Sequence, residues 1–427
     1  MDEELVLSTF ALVSFDQAGH NDDDEKHSME DDEQVSSGTA RYMLKAAWQG
    51  NRVAVVTDEP AVRIFKTGVG ATALSLDGEL RGHDSRIMDA QFAVDNPNLL
   101  ATASLDGSVI VWNLENQKQV LRVRPHVRAE CDDIGVHSVA LRSDLLVCGG
   151  ANDLAVWTLG IDGSGTMVAH ERTLVEYAHH DNVQCLRWHP SQSNLLLSGG
   201  GDGLVQVHDV TKEDPDEVTE EAPLVVNYGR DIRTIDFFSG HKPHDCVCVT
   251  TVDHSIALFS IESADCLASI DADKLLTRCA QVAQTTLPAS RLSVEHNAPD
   301  AVSCLLGFRT QERFGTLPQL IAGSADGTVH VLDLVQNQQG LDLRLRQTLR
   351  EHSAEVRDFA QGPGASCVTV GEDSKIALWD TQSNVARQRQ QVQHATRGRA
   401  QRSKHADSRT QRPYGGAGRR RHNPKRF

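Results

Sequence analysis

The stretch LLATASLDGSVIVWNL, Leu99 to Leu114, decides the fold. Its first half is an apolar strand, Asp106-Gly107 is a tight-turn signal, and Val109 to Leu114 alternates as a second strand does. Four further stretches repeat it: LLLSGGGDGLVQVHDV (Leu195 to Val210), CVTTVDHSIALFSI (Cys248 to Ile261), LIAGSADGTVHVLDL (Leu320 to Leu334) and CVTVGEDSKIALWDT (Cys367 to Thr381). Their turns fall at Asp202, Asp253, Asp326 and Asp373. Weaker copies, VAVVTDEPAVRIFK (Val53 to Lys66) and LLVCGGANDLAVWTL (Leu145 to Leu159), bring the set to seven.

The position closing the second strand is Phe65, Trp112, Trp157, His208, Phe259, Leu332 and Trp379, at intervals of 47, 45, 51, 51, 73 and 47 residues. A period of about 40 to 45 residues is that of four-stranded units repeated around a ring, so the fifth interval carries an insertion, placed near 270–299. Segments upstream supply an inner strand for each unit: IMDAQFA (Ile87 to Ala93), VHSVALR (Val136 to Arg142), VQCLRWH (Val183 to His189), IRTIDFF (Ile232 to Phe238), VSCLLGF (Val302 to Phe308) and VRDFAQ (Val356 to Gln361). No 3.6-residue pattern of helical length competes, and the chain reads as nearly all β.

The copies resemble the WD repeat. Gly82-His83, Thr102, Asp106 and Trp112 occupy the repeat's four hydrogen-bonding positions, as do His352, Thr369, Asp373 and Trp379, and Trp379-Asp380 is the name-giving dipeptide. The resemblance implies that indole, hydroxyl, imidazole and carboxylate bond in series, which satisfies each group as it is buried. His180, Ser198 and Asp202 form a partial set with His208 in place of tryptophan, while the other copies must rest on apolar packing. The implied fold is an all-β, seven-bladed WD40 β-propeller.

After Trp379-Asp380 the sequence turns polar, so blade seven lacks an outer strand. The apolar ELVLSTFALVSF, Glu4 to Phe15, is expected to supply it and close the ring. The expected layout is a closing strand in 1–18, an acidic disordered loop in 19–40, the propeller in 41–383 and a basic disordered tail in 384–427. Three stretches are also similar to the WD repeat-containing protein 89 family: HHDNVQCLRWHPSQSNLLLSGGGDGLVQVHDV (His179 to Val210), DAVSCLLGFRTQERFGTLPQLIAGSADGTVHVLDL (Asp300 to Leu334), and GEDSKIALWD followed by a basic tail. That resemblance implies a nuclear interaction protein.

Charge is distributed unevenly. The whole chain is -17, yet Asn384 to Phe427 holds thirteen Lys or Arg against Asp407 alone, leaving -29 for the remainder. The run NDDDEKHSMEDDE, Asn21 to Glu33, is acidic without apolar period. Neither run buries enough apolar surface to offset the entropy of ordering it. No apolar stretch of about 18 residues occurs and MDEELVLSTF is acidic where a secretory signal is basic, so neither membrane span nor export is expected. Nine cysteines with no CxxC pair read as free thiols in a reducing compartment.

Catalytic and cofactor signals fail in context. Gly68-Val69-Gly70-Ala71-Thr72-Ala73 fits GxGxxA, but the following ALSLDGEL alternates like a strand where dinucleotide binding requires a helix. HKPHDCVC offers His241, His244, Cys246 and Cys248 at a spacing zinc accepts, though a gap of two in a strand merely puts both thiols on one face. The turn aspartates already serve as turn formers, and His189 in WHP reads as packed or solvated. No GxSxG, GxxxxGK[ST] or HExxH occurs. The expectation is a non-enzyme with no cofactor, no metal, no small-molecule substrate and no membrane partner.

A propeller presents loops around an axis. The residues just before the inner strands, Arg86, Gly135, Asn182, Asp231, Ala301 and Glu355, should share one face, and the candidate partner rim is Arg86, Asn182, Asp231 and Glu355. One base and two acids suit a protein or peptide partner. In the tail, Arg397, Arg399, Arg402, Lys404, Arg419, Arg420, Arg421, Lys425 and Arg426 form clusters fit for nuclear import or weak, salt-sensitive RNA contact; Tyr414 and Phe427 are the few bases-stacking aromatics. The leading expectation is an adaptor in a nuclear complex, the nucleolus and ribosome-biogenesis type included, with a cytoplasmic pool. The alternative is a substrate receptor of a ubiquitin ligase, disfavoured because Thr381-Gln382 follows Trp379-Asp380 where WDxR would place an arginine.

Overall fold

The computed structural model describes residues 5–6, 11–14, 42–68, 73–125, 134–212, 224–242, 244–275, 277, 302–310, 315–338, 340–364 and 366–380, without the side chains of 5–6, 11–14, 171–172 and 380. The chain begins with β1 (Leu5–Val6) and β2 (Ala11–Ser14). Blade one is β3 (Met43–Gln49), β4 (Arg52–Thr57), β5 (Ala61–Thr67) and β6 (Leu74–Arg81). Blade two is β7 (Ile87–Ala93), β8 (Asn96–Ser104), β9 (Val109–Asn113) and β10 (Lys118–Val123). Blade three is β11 (Ser138–Leu141), β12 (Leu145–Gly149), β13 (Leu154–Ile161) and β14 (Met167–Val175). Blade four is β15 (Val183–Trp188), β16 (Leu195–Gly200), β17 (Leu204–Asp209) and β18 (Leu224–Asn227). Blade five is β19 (Ile232–Phe238), β20 (Cys246–Thr251), β21 (Ile256–Ser260) and β22 (Cys266–Ile270). Blade six is β23 (Cys304–Arg309), β24 (Gln319–Gly323), β25 (Thr328–Asn337) and β26 (Gly340–Arg350). Blade seven is β27 (Val356–Gln361), β28 (Ser366–Gly371) and β29 (Lys375–Asp380).

These strands make seven sheets, laid out in chain order from the axis outward except where β1 and β2 take the outermost places of blades six and seven. In blades two, four and six the turn between second and third strands takes a left-handed residue, and Gly107, Gly203 and Gly327 supply it with φ of 76°, 80° and 84°. At Gly203 a Cβ would lie 2.6 Å from the Arg230 backbone nitrogen, so glycine is required twice over. His254 and Ser374 accept the same conformation in blades five and seven.

Seven buried apolar clusters hold the ring, one at each junction between neighbouring blades. Val56, Ile64, Phe92 and Leu100 join blades one and two, and Met43, Val53, Val368 and Ile376 join blades one and seven. The other five junctions carry clusters of the same kind. Each sheet therefore buries both faces, which explains the continuous apolar runs in the middle strands.

The N-terminal segment does close blade seven: β2 lies antiparallel to β29, with Ala11 opposite Leu378 and Ser14 opposite Lys375. The single strand expected over Glu4 to Phe15 is corrected in one respect. Its beginning forms β1, which runs parallel to β26 with Leu5 opposite Gln347 and Val6 opposite Thr348, giving blade six a fifth strand. β26 is 11 residues long, and its outer edge offers backbone partners that β1 takes up.

After Ile270 a helical turn at 272–275 buries Leu275, and most of the expected insertion lies outside the described residues. So do the acidic run 21–33, the tail 384–427 and the glycine-rich 69–72, although the Gly68 N–H meets the Ala73 carbonyl at 2.9 Å and the segment that follows is strand β6.

Candidate functional site

In blades two, four and seven a hydrogen-bonded series makes the loop end rigid. In blade two the Trp112 indole N–H donates to Thr102 Oγ1 at 2.9 Å, Thr102 stands 2.8 Å from His83 Nε2, and His83 Nδ1 lies 3.0 Å from Asp106 Oδ2. With the indole able only to donate and the carboxylate only to accept, the hydroxyl donates to Nε2 and Nδ1 carries the proton. Burial would raise the Asp106 carboxyl, but hydrogen bonds from Ser108, the Asp84 N–H and His83 outweigh it and hold it down at about 2. Burial lowers His83, keeping its imidazole neutral. Blade seven repeats the series through Trp379, Thr369, His352 and Asp373 at 2.9, 2.9 and 2.9 Å.

Blade four corrects the partial set. The relay imidazole is His179, with Nδ1 3.1 Å from Asp202 Oδ1 and Nε2 2.8 Å from Ser198 Oγ; His180 contributes its backbone N–H to Asp202 Oδ2 at 2.7 Å. His180 corresponds to Asp84 and Ser353, whose backbone N–H groups serve the same aspartate oxygen in blades two and seven. His208 takes the tryptophan's part, its Nε2 2.8 Å from Ser198 Oγ.

These series anchor a face at the end where the inner strands begin. The carbonyls of Arg86, Asn182, Asp231 and Glu355 accept N–H groups from Leu105, Gly201, Val252 and Glu372 at 3.0, 2.9, 2.9 and 2.9 Å, so the four occupy equivalent places. Tyr42 is the member of this ring that sequence comparison missed, its carbonyl accepting the Asp58 N–H at 3.0 Å. Ala301 lies outside the described residues. The Arg86, Asn182 and Asp231 side chains make no hydrogen bond or ion pair among the described residues. Glu355 differs: it accepts from Ser303 Oγ at 3.1 Å and pairs with Arg357 at 3.4 Å, so it braces the rim.

The same loops expose large apolar side chains: Tyr42 (44%), Ile134 (53%), Tyr177 (60%) and Val252 (51%). Ile134 covers the Gly107 turn, and the Tyr177 N–H is fixed on Asp153 Oδ1 at 2.9 Å. Apolar groups interspersed with free polar ones make a surface that can lose water to a protein partner while keeping a polar margin.

Along the axis lies a cavity of about 300 Å³, lined by the inner strands of every blade but three. Beside blade three, Gln91 of blade two donates to the Leu186 carbonyl of blade four at 3.1 Å. Asp89 binds Lys45 at 2.7 Å and the Val139 N–H of blade three at 3.1 Å, and Asp358 takes the Ala46 N–H of blade one at 2.9 Å. Inner-strand carboxylates thus fasten one blade to the next.

The remaining sequence candidates have structural places. His189 is buried, accepts the Gln192 N–H at Nδ1 at 3.0 Å and packs edge-on against Phe237. Cys246 and Cys248 are buried free thiols, and burial pushes Cys246 up to about 12. Among the described residues no group of His, Cys, Asp and Glu is assembled to hold a metal, and no helix is long and apolar enough to cross a membrane.

Compared with known families, residues 75–113, 171–209 and 343–380 match the WD domain, G-beta repeat. Each match starts on the outer strand of one blade and ends on the third strand of the next, so the sequence unit straddles two blades. Three of the seven blades thus end on a matched WD repeat, and the chain is a seven-bladed β-propeller that carries WD repeats.

Among individual proteins it is similar to the WD repeat-containing protein 89 homolog of Dictyostelium discoideum, 20% identical over 348 residues that cover 81% of this chain and 84% of that one. It is 26% identical to the nuclear distribution protein PAC1 of Komagataella phaffii over 310 residues, 66% of this chain and 57% of the relative. It also matches the GATOR2 complex protein Wdr59 of Drosophila melanogaster, 27% identical over 132 residues, 31% of this chain and 13% of that one. The chain thus spans little more than half of PAC1 and a small part of Wdr59.

Proposed function

We propose that the protein is a non-catalytic adaptor that docks a protein segment on the loop face bearing Tyr42, Arg86, Ile134, Tyr177, Asn182, Asp231 and Val252, and that it does so within a nuclear complex, the nucleolus included. The observation that carries this reading is the coincidence of four exposed apolar side chains with three unengaged polar ones on one face fixed by buried hydrogen bonds. Wdr59 is named as a protein of a complex, which agrees with a role through assembly. The basic clusters at 397–404 and 419–426 serve as nuclear address and as a weak RNA contact; few aromatics accompany them, so that contact reads charge more than sequence.

The test is copurification of the tagged full chain at low and high salt, with and without residues 384–427, and with Ile134→Ser plus Tyr177→Ser. Protein partners should persist in high salt without the tail and drop in the double variant. RNA and nuclear accumulation should go with the tail. Partners undiminished by the double variant would remove this face from the function, and a tail-less chain still concentrated in the nucleus would remove the address.

A further inference from the structure

Arg187 and Asp236 are the fifth residues of the inner strands of adjacent blades four and five, so they stand at one height on the axis, and both line the axial cavity. Arg187 spends one N–H, from Nη1, on the Leu186 carbonyl at 2.9 Å. Asp236 accepts the Phe237 N–H at Oδ1, 2.8 Å away, and its Oδ2 takes no protein donor among the described residues. The two act on each other through charge without a hydrogen bond. Neither is among the buried polar atoms sealed off without a partner, so their spare donors and acceptor open onto the cavity. Lys45 and Asp89, also on the axis, differ in being already joined at 2.7 Å.

The opposite wall sets small and apolar residues beside Lys45, Asp358 and Gln361. Ala47 and Ala360 hold the fifth positions in blades one and seven, Gly307 lies in blade six, and Phe92 and Phe308 add aromatic surface. At about 300 Å³ the space is at the lower limit of ligand pockets.

From this juxtaposition we infer that the axial cavity binds a free α-amino acid, its carboxylate on Arg187, its ammonium on Asp236 and its side chain against the alanine and phenylalanine wall. A simple anion placed at Arg187 meets the neighbouring carboxylate, and a simple cation at Asp236 meets the guanidinium. A ligand with both charges on one carbon satisfies both groups at once, where a single charge leaves one of them unpaired. Burial raises the Asp236 carboxyl, with Arg187 opposing, and an apposed ammonium adds to that opposition.

The experiment is calorimetric titration and thermal unfolding of the full chain with each common L-amino acid at about 5 mM, beside propionate and propylamine, since a ligand selective for the folded state raises the melting temperature. At least one amino acid should bind and shift the melt, while both single-charge analogues do neither. Asp236→Asn and the wall-filling Ala360→Leu should weaken that amino acid about tenfold or more. Silence from every amino acid, or equal binding by propionate or propylamine, overturns the inference; so does undiminished binding in folded Ala360→Leu protein. Should the variants fail to fold, the analogue comparison on the unaltered chain still decides.

Discussion

His208 Nε2 lies 2.8 Å from Ser198 Oγ, and through that oxygen a second imidazole, His179, is held on Asp202. Blade four therefore runs the same relay as blades two and seven with a smaller donor. His208→Phe keeps an aromatic ring and deletes the donor, and it should cost about 1 kcal/mol or more in denaturant unfolding. Equal denaturation midpoints for the two proteins would show that the bond contributes nothing.

The aspartates that end the relays set the response to acid. Asp106, Asp202 and Asp373 are held at about 2, against an ordinary 3.8, so each gives stability that is complete above 3.8 and lost as pH falls toward 2. Asp373→Asn should destabilise by on the order of 2 kcal/mol at neutral pH, with the gap to the parent narrowing between pH 4 and pH 2. A gap of constant size across that range contradicts the assignment.

His83 acts in a second window. Its folded value is depressed, so its contribution is complete above the ordinary value of about 6.5 and is lost as pH falls from there through the folded value. Histidine titration followed by NMR should find His83 titrating below the free value, and a resonance titrating at or above the free value would refute it.

The two N-terminal strands should separate in their effects. Removing residues 1–8 strips β1 from blade six, which keeps four strands, whereas removing residues 1–15 also strips β2 and leaves blade seven with three. The longer deletion should lower the melting temperature clearly more than the shorter, and equal melting points would remove β2 from the closure.

Asp89 draws together Lys45, the Ala90 N–H, Gln91 and the Val139 N–H at 2.7, 3.0, 3.1 and 3.1 Å. Asp89→Ala leaves these donors facing one another near the axis and should cost about 3–5 kcal/mol in urea unfolding. A loss below about 1 kcal/mol would mean that the Lys45 ammonium simply turns to water.

Blades were readable because strand alternation and the Asp-turn signal recur in every copy, and blade seven's missing strand showed as a polar stretch after Trp379. Spacing did not fix the relay histidine of blade four: His83 and His179 precede their hydroxyls by 19 residues and His352 precedes Thr369 by 17, so the adjacent His180, at 18, falls between them. Tyr42, Ile134, Tyr177 and Val252 left no such trace, because periodicity reports which strand residues are buried and is silent on apolar residues in loops. The meeting of Arg187 with Asp236 depends on two blades standing side by side at equal height, which the chain specifies only through the closed ring.

That β2 completes blade seven has a consequence for biogenesis. Ser14 is synthesised well before its partner Lys375, which is added 361 positions later. At about 5 to 20 residues per second, the apolar strand waits roughly 20 to 70 seconds for its acceptor. Throughout that interval the nascent chain carries an unpaired apolar strand with no sheet to receive it, which makes it a natural client for chaperones that shield extended apolar peptides during translation.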